Sequence, residues 1–220
     1  MHLAIEMEND EMKIITISRQ FGSGGRELGK RLSDVLKYDY YDREIITKLS
    51  EEQGLDEEYV SRVLNNHEWN TVPITFNASF VNTGFFANSN VSLMSRQREI
   101  IEDIAKAGND CIIVGRNADV ILREYHPLRI AVCADMDYRV ARCFRHEQKK
   151  TDGGLTEKEV INNIRRIDKE RARTRELISG KDRGDPSSFD LVVNSAGWEI
   201  KELVNSVADF AEKWFNRKEV

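Results

Sequence analysis

The sequence predicts an α/β fold with a parallel five-stranded sheet, and three observations carry that expectation. Short β-branched runs alternate with longer helical ones along the chain. Those short runs are nearly unbroken in apolarity, as strands covered on both faces require. A glycine-rich turn follows the first run directly and leads into the first helical one.

The expected strands are Lys13–Ser18, Tyr38–Tyr41, Asp110–Val114, Leu128–Cys133 and Asp190–Asn194. The first helix is placed at Gly25–Leu36, where Leu28, Leu32, Val35 and Leu36 recur at helical spacing. The next spans Ser92–Lys106, with Ser92 as a candidate cap and Gly108 as the stop. Thr156-Glu157-Lys158-Glu159 is a capping box that opens a long helix reaching about Ile178, and Ile200–Phe215 closes the fold. One stretch breaks this rhythm. Residues 65–90 are rich in Asn with interleaved Trp69, Phe76, Phe80, Phe85 and Phe86, and show neither period. A loop of that length is usually functional, so 44–91 is expected to be an inserted subdomain.

At 220 residues and 40% hydrophobic content, the chain can bury one sizeable core and is expected to be a single domain. It has no apolar run near the ~20 residues of a membrane helix, and its start lacks the pattern of a secretory signal. The expectation is a cytoplasmic protein without a membrane partner. Cys111, Cys133 and Cys143 lack metal or redox spacing and sit in apolar or helical stretches, as buried thiols do. The net charge of −5 argues against a partner that is a nucleic-acid polymer. Residues 139–181, however, hold thirteen Lys and Arg against seven Asp and Glu. Such a segment on an acidic protein is either a local polyanion site or a solvated charged helix.

The turn reads Arg19-Gln20-Phe21-Gly22-Ser23-Gly24-Gly25-Arg26-Glu27. Strand, glycine turn and helix is a geometry that binds anions, because successive backbone N–H groups turn inward where the helix dipole is positive. A dinucleotide fingerprint would need a third glycine at Glu27. The pattern G-x-x-x-x-G-K-[ST] also departs from the residues present: Arg19 stands at its first glycine, Gly25 at the lysine and Arg26 at the hydroxyl position. A turn that merely packs helix on strand is the alternative.

From Lys13 onward the chain resembles the cytidylate kinase-like family, in the branch whose loop reads R-Q-x-G-S-G-G-R. The resemblance rests on ITISRQFGSGGRELGKRLSDVLKYDYYDREII, IIVGRNADVIL, LRIAVCADMDYRVARCFRHE, IRRIDKERARTREL and DPSSFDLVVNSAGWEIKELV. It implies a three-layer P-loop NTPase fold with a core of 12–43, 92–136 and 186–220. A nucleoside-monophosphate-binding insert of 44–91 and a basic helical lid of 137–185 would complete it. The implied activity is phosphoryl transfer from ATP, with Mg²⁺, to a nucleoside monophosphate of the CMP or dCMP type. The implied donor-phosphate residues are Arg19, Gly22, Ser23, Gly24, Gly25, Arg26 and Glu27, with Ser23 and Glu27 as candidate Mg²⁺ ligands. Asp42, Arg43, Arg116, Arg165, Asp168 and Arg171 are the implied acceptor residues, and Arg26, Arg142, Arg145 and Arg171 the catalytic ones. Asn117 stands where the family has an aspartate, and Glu27 where it has a threonine.

Such a reaction needs no general base, because the acceptor oxygen is already anionic. It needs two repelling polyanions aligned and the transferring group stabilised, a task suited to arginines. Loss of the loop lysine would cost about 3–4 kcal/mol of transition-state stabilisation unless replaced. Arg26 is the candidate replacement, and Arg19 the second. Arg165, Asp168 and Arg171, spaced by three, share a helix face, continued by Arg175; as exposed pairs they would be worth only ~0.3–0.5 kcal/mol. Asp42 is an acceptor residue or a helix cap. A nucleotide sensor that keeps the fold and transfers nothing is the alternative to a kinase.

Overall fold

The computed structural model describes residues 12–42, 91–147, 156–179 and 185–217. The expected insert at 44–91 lies outside the described residues except for Val91, as do Arg43 and parts of the expected lid.

Five strands form one all-parallel sheet: β1 (Ile14–Arg19), β2 (Asp39–Tyr41), β3 (Cys111–Val114), β4 (Leu128–Cys133) and β5 (Leu191–Asn194), in the order β2-β3-β1-β4-β5. The described helices are α1 (Gly25–Leu36), α2 (Val91–Lys106), α3 (Ala118–Ile121), α4 (Met136–Glu147), α5 (Glu157–Ser179) and α6 (Ile200–Phe215), with short 3₁₀ turns at Arg123–Tyr125 and Pro186–Ser188. Each expected strand is present within a residue at either end, and α1 and α6 have the expected bounds. α2 starts one residue early, so Ser92 lies inside the helix rather than capping it.

The apolar runs explain the sheet. Ile14, Ile15 and Ile17 of β1 and Cys111, Ile112, Ile113 and Val114 of β3 are all buried, so successive residues pointing to opposite faces both find cover. α1 packs on β1 and β3 and against α6, while α2 packs against α3 and α3 against β1. β5 departs from the expectation of a strand covered on both faces: it is an edge strand whose Val192 is 51% exposed. The capping box is present, Thr156 N–H bonding Glu159 Oε2 at 2.8 Å and Glu159 N–H bonding Thr156 Oγ at 3.4 Å. All three cysteines are free; Cys111 and Cys143 are buried, and Cys133 is half-buried. Burial pushes the Cys111 thiol up, so it stays protonated. No helix among the described residues is long and apolar enough to cross a membrane.

A second, smaller core lies beside the main one. Phe21 of the glycine turn packs there with Val140 and Cys143 of α4 and Val160, Ile164 and Ile167 of α5. The basic helices are thereby seated on the turn that follows β1.

Candidate phosphate-transfer site

The turn between β1 and α1 is held by its neighbours on several sides. Gln20 N–H bonds Val132 O at 3.0 Å, and its Oε1 accepts from Ala134 N at 3.0 Å, tying the turn to β4. Ser195, just past β5, donates its hydroxyl to Ser23 O at 2.6 Å. Gly22 and Gly24 both have φ of 81°, the left-handed region in which glycine carries no steric penalty. Space also requires them. A Cβ on Gly24 would lie 2.4 Å from Ile200, and one on Gly22 would lie 3.0 Å from the carbonyl of Arg139. Gly24 caps α1 without a side-chain bond, leaving the first-turn N–H groups uncapped by any side chain of its own.

Side chains from α4 and α5 grip the same turn. Phe21 N–H donates to Asp168 Oδ1 at 2.9 Å, and Phe21 O accepts from Arg139 Nε at 2.7 Å. Arg139 and Asp168 are also ion-paired with each other. Arg171 donates to Arg19 O at 3.1 Å and lies over the Phe21 ring, 5.6 Å from its centre.

In front of the turn opens a cleft of about 410 Å³. Its lining carries six cationic side chains (Arg19, Arg26, Lys30, Arg31, Arg142 and Arg171) against two acidic ones, Glu27 and Asp34. On a protein of net charge −5, that concentration gives the cleft a local positive character suited to an anion. Arg142 is buried and pairs with Glu27, which Arg31 also binds at 2.8 Å. Burial alone would push the Glu27 carboxyl up, but the hydrogen bonds from Arg31 and Arg142 outweigh it and hold the group below its ordinary value. Arg26 reaches sideways, its Nε and one terminal nitrogen both 2.6 Å from Asp42 Oδ2. Tyr40 Oη supports that pair from 3.4 Å, its phenol kept protonated chiefly by burial.

At the end of β3 the chain makes a turn of unusual backbone: Gly115, Arg116 and Asn117 have φ of 83°, 58° and 54°. For a residue such as Arg116 this conformation costs about 1–2 kcal/mol, a strain that the surrounding packing must offset. A Cβ on Gly115 would sit 1.6 Å from a guanidinium nitrogen of Arg19, so the Arg19 side chain lies directly across this turn. α5 also anchors the helix that follows, Arg175 pairing with Asp119 at 2.6 Å in the interior, under the Phe189 ring.

The sequence profile of the cytidylate kinase-like family matches residues 14–197. The chain belongs to the cytidylate kinase-like family. A cytidylate kinase of Haloarcula marismortui is 26% identical over 202 residues, covering 91% of this chain and 90% of that protein. Among solved structures, an uncharacterized protein of Eubacterium ventriosum matches with a TM-score of 0.67 at 19% identity, over 91% of this chain and 99% of that one. The shikimate kinase of Bacteroides thetaiotaomicron matches with a TM-score of 0.50 at 13% identity, over 91% and 99%. These likenesses establish a P-loop kinase fold.

Within this family member, the expected site residues divide. Arg19, Gly22, Gly24, Gly25, Arg26, Glu27, Arg142 and Arg171 come together at the cleft. Arg116 follows Gly115, which packs against the Arg19 guanidinium, but is not among the residues lining the cleft; Asp42 joins through Arg26. Arg145 and Arg165 do not join: Arg145 is 55% exposed and meets Glu199 at 3.6 Å, and Arg165 is exposed on α5. Asp168 reaches the loop backbone rather than open space. The two candidate magnesium ligands do not fit that role. Ser23 is fully buried with its hydroxyl directed at Gln20 O and Val132 O, and the Glu27 carboxylate is occupied by two guanidinium groups. No group of three potential metal ligands occurs among the described residues. Sequence reading missed Gln20, Phe21 and Ser195, whose contacts join segments over 100 residues apart and follow no local period.

Proposed function

We propose that the protein transfers the γ-phosphoryl group of ATP, supplied as its magnesium complex, to a nucleoside monophosphate of the CMP or dCMP type. One observation carries the reading: arginines from β1, α1, α4 and α5 line a single cleft in front of an uncapped helix N-terminus. That combination suits a polyphosphate flanked by a second phosphate, where guanidinium groups offset the repulsion between them. Family membership and the likeness to a cytidylate kinase favour a nucleotide as acceptor.

In this reading the backbone N–H groups of Gly22–Gly25 hold the donor phosphates. Arg142 and Arg171 stabilise the group in transfer, and Arg26 takes the part of the absent lysine. Its pairing with Asp42 puts the guanidinium between the loop and the end of β2, so one side chain can serve donor and acceptor together. Arg116 and Asp42 serve the acceptor. Segment 44–91 acts as the acceptor-binding insert and 137–185 as the lid, all within one domain.

The observation favouring a non-catalytic nucleotide sensor is the occupation of Arg142 by Glu27, with glycine at the lysine position. Release of ADP from ATP and magnesium, measured with a panel of nucleoside monophosphates, separates the two. CMP or dCMP is expected to stimulate ADP formation, and Arg26→Ala to lower kcat/KM at least about tenfold. Binding of ATP with no turnover of any acceptor would replace the kinase by the sensor.

A further inference from the structure

Phe21, in the phosphate loop, is held by side chains at both of its polar backbone atoms. Its N–H and its carbonyl need partners that no neighbouring strand provides. Asp168 takes the first and Arg139 the second, and the two side chains then bind each other, closing a ring of three contacts around one residue. Arg139 is itself buried, and the Phe21 ring is packed into the smaller core on α4 and α5.

From this we infer that Asp168 and Arg139 are positioning residues for the donor phosphates: they act through Phe21 to fix the backbone of the glycine turn, rather than touching the acceptor nucleotide. The inference rests on the reading of that turn as the donor site. Both carboxylate oxygens of Asp168 are engaged, Oδ1 by Phe21 N–H, with Arg171 at 3.7 Å, and Oδ2 by Arg139. An acceptor hydroxyl would have to displace a charge-assisted bond to reach either of them. Gly22, next in the chain, lies so near the Arg139 backbone that a Cβ on it would come 3.0 Å from the Arg139 carbonyl, so a shift of the helix carrying this ring moves the N–H groups that follow. A site that binds phosphate through backbone amides depends on their directions, and supporting contacts set those directions.

Three measurements on the full chain test this. Amide hydrogen exchange at Phe21 is read without ligand, ADP affinity by titration calorimetry, and KM for CMP by ADP release. Asp168→Ala is expected to speed exchange at Phe21 and weaken ADP binding, each about tenfold or more, with KM for CMP within about threefold of the unsubstituted value. Asp168→Asn keeps an acceptor for Phe21 N–H but loses the charge, and is expected to fall between the two. It and Arg139→Lys carry the measurement if the alanine variant fails to fold. Unchanged exchange and ADP affinity with a raised KM for CMP would overturn the inference and make Asp168 an acceptor residue. If the unsubstituted protein binds no ADP, the kinase reading fails, and the exchange at Phe21 alone decides whether the ring holds the turn.

Discussion

The two faces of the basic helices α4 and α5 have similar compositions and opposite fates. On the inner face, Arg139, Arg142, Arg171 and Arg175 are buried or half-buried, and each meets a carboxylate or carbonyl from another segment. On the outer face, Arg145 reaches across to Glu199 and Arg166 pairs with Glu170 one turn away, both in contact with solvent. A guanidinium in the interior must have partners, because its desolvation is not otherwise offset; one at the surface already has water. Among the Arg and Lys that the described parts of α4 and α5 carry, only those turned inward can build a site, and the exposed ones keep the surface charged.

The contrast is broken most strongly at Asp119 and Arg175, whose side chains are 5% and 3% exposed. Removing one partner leaves the other charged and buried, and the Nε of Arg175 already has no hydrogen-bond partner. Asp119→Ala is expected to lower unfolding free energy by about 3–5 kcal/mol, measured by urea denaturation. A loss under about 1 kcal/mol would place this pair with the outer-face ones.

Helical geometry explains how much of this division was legible. Asp168, Arg171 and Arg175 are spaced by three and then four, and seven residues fall only about 20° short of two turns, so all three stay on one face. The sequence reading of a continuous face there agrees with the contacts. Arg139, Arg142 and Arg145 are spaced by three twice, which rotates the last about 120° from the first. Arg145 therefore leaves the cleft, whereas Arg142 lines it and Arg139 is buried against Phe21 and Asp168. Arg165, three residues before Asp168 and so expected on that face, departs from it: six residues before Arg171, it is rotated about 120° from that side chain and is exposed. The sheet was readable because β-branched runs announce themselves locally. What each inward side chain would meet was not, because Phe21 and Asp168 are 147 residues apart and only the assembled fold brings them together.

A smaller effect sharpens the comparison through pH. The folded Glu27 carboxyl titrates below its ordinary value of 4.5, so its pairing with Arg142 and Arg31 contributes stability that is complete above that value. That contribution is lost as pH falls through the lower value of the folded protein. Glu27→Gln is expected to be less stable than the unsubstituted protein at neutral pH, with the gap closing as the solution is acidified below 4.5. Denaturant unfolding across that range checks the sign. A gap independent of pH would mean that the carboxylate contributes by shape rather than by charge.

The smallest effect is expected at Arg145. Its partner Glu199 is 62% exposed and 3.6 Å away, so the pair is solvated on both sides and screened by salt. Arg145→Ala is expected to change unfolding free energy by less than about 0.5 kcal/mol and kcat/KM by less than about twofold. The residue still has a way into the chemistry, since α4 carries it on the same rigid body as Arg142. A tenfold or greater fall in turnover with stability unchanged would show that α4 rotates when substrates bind, bringing its outer face into the cleft. The division between the two faces would then describe the open enzyme alone.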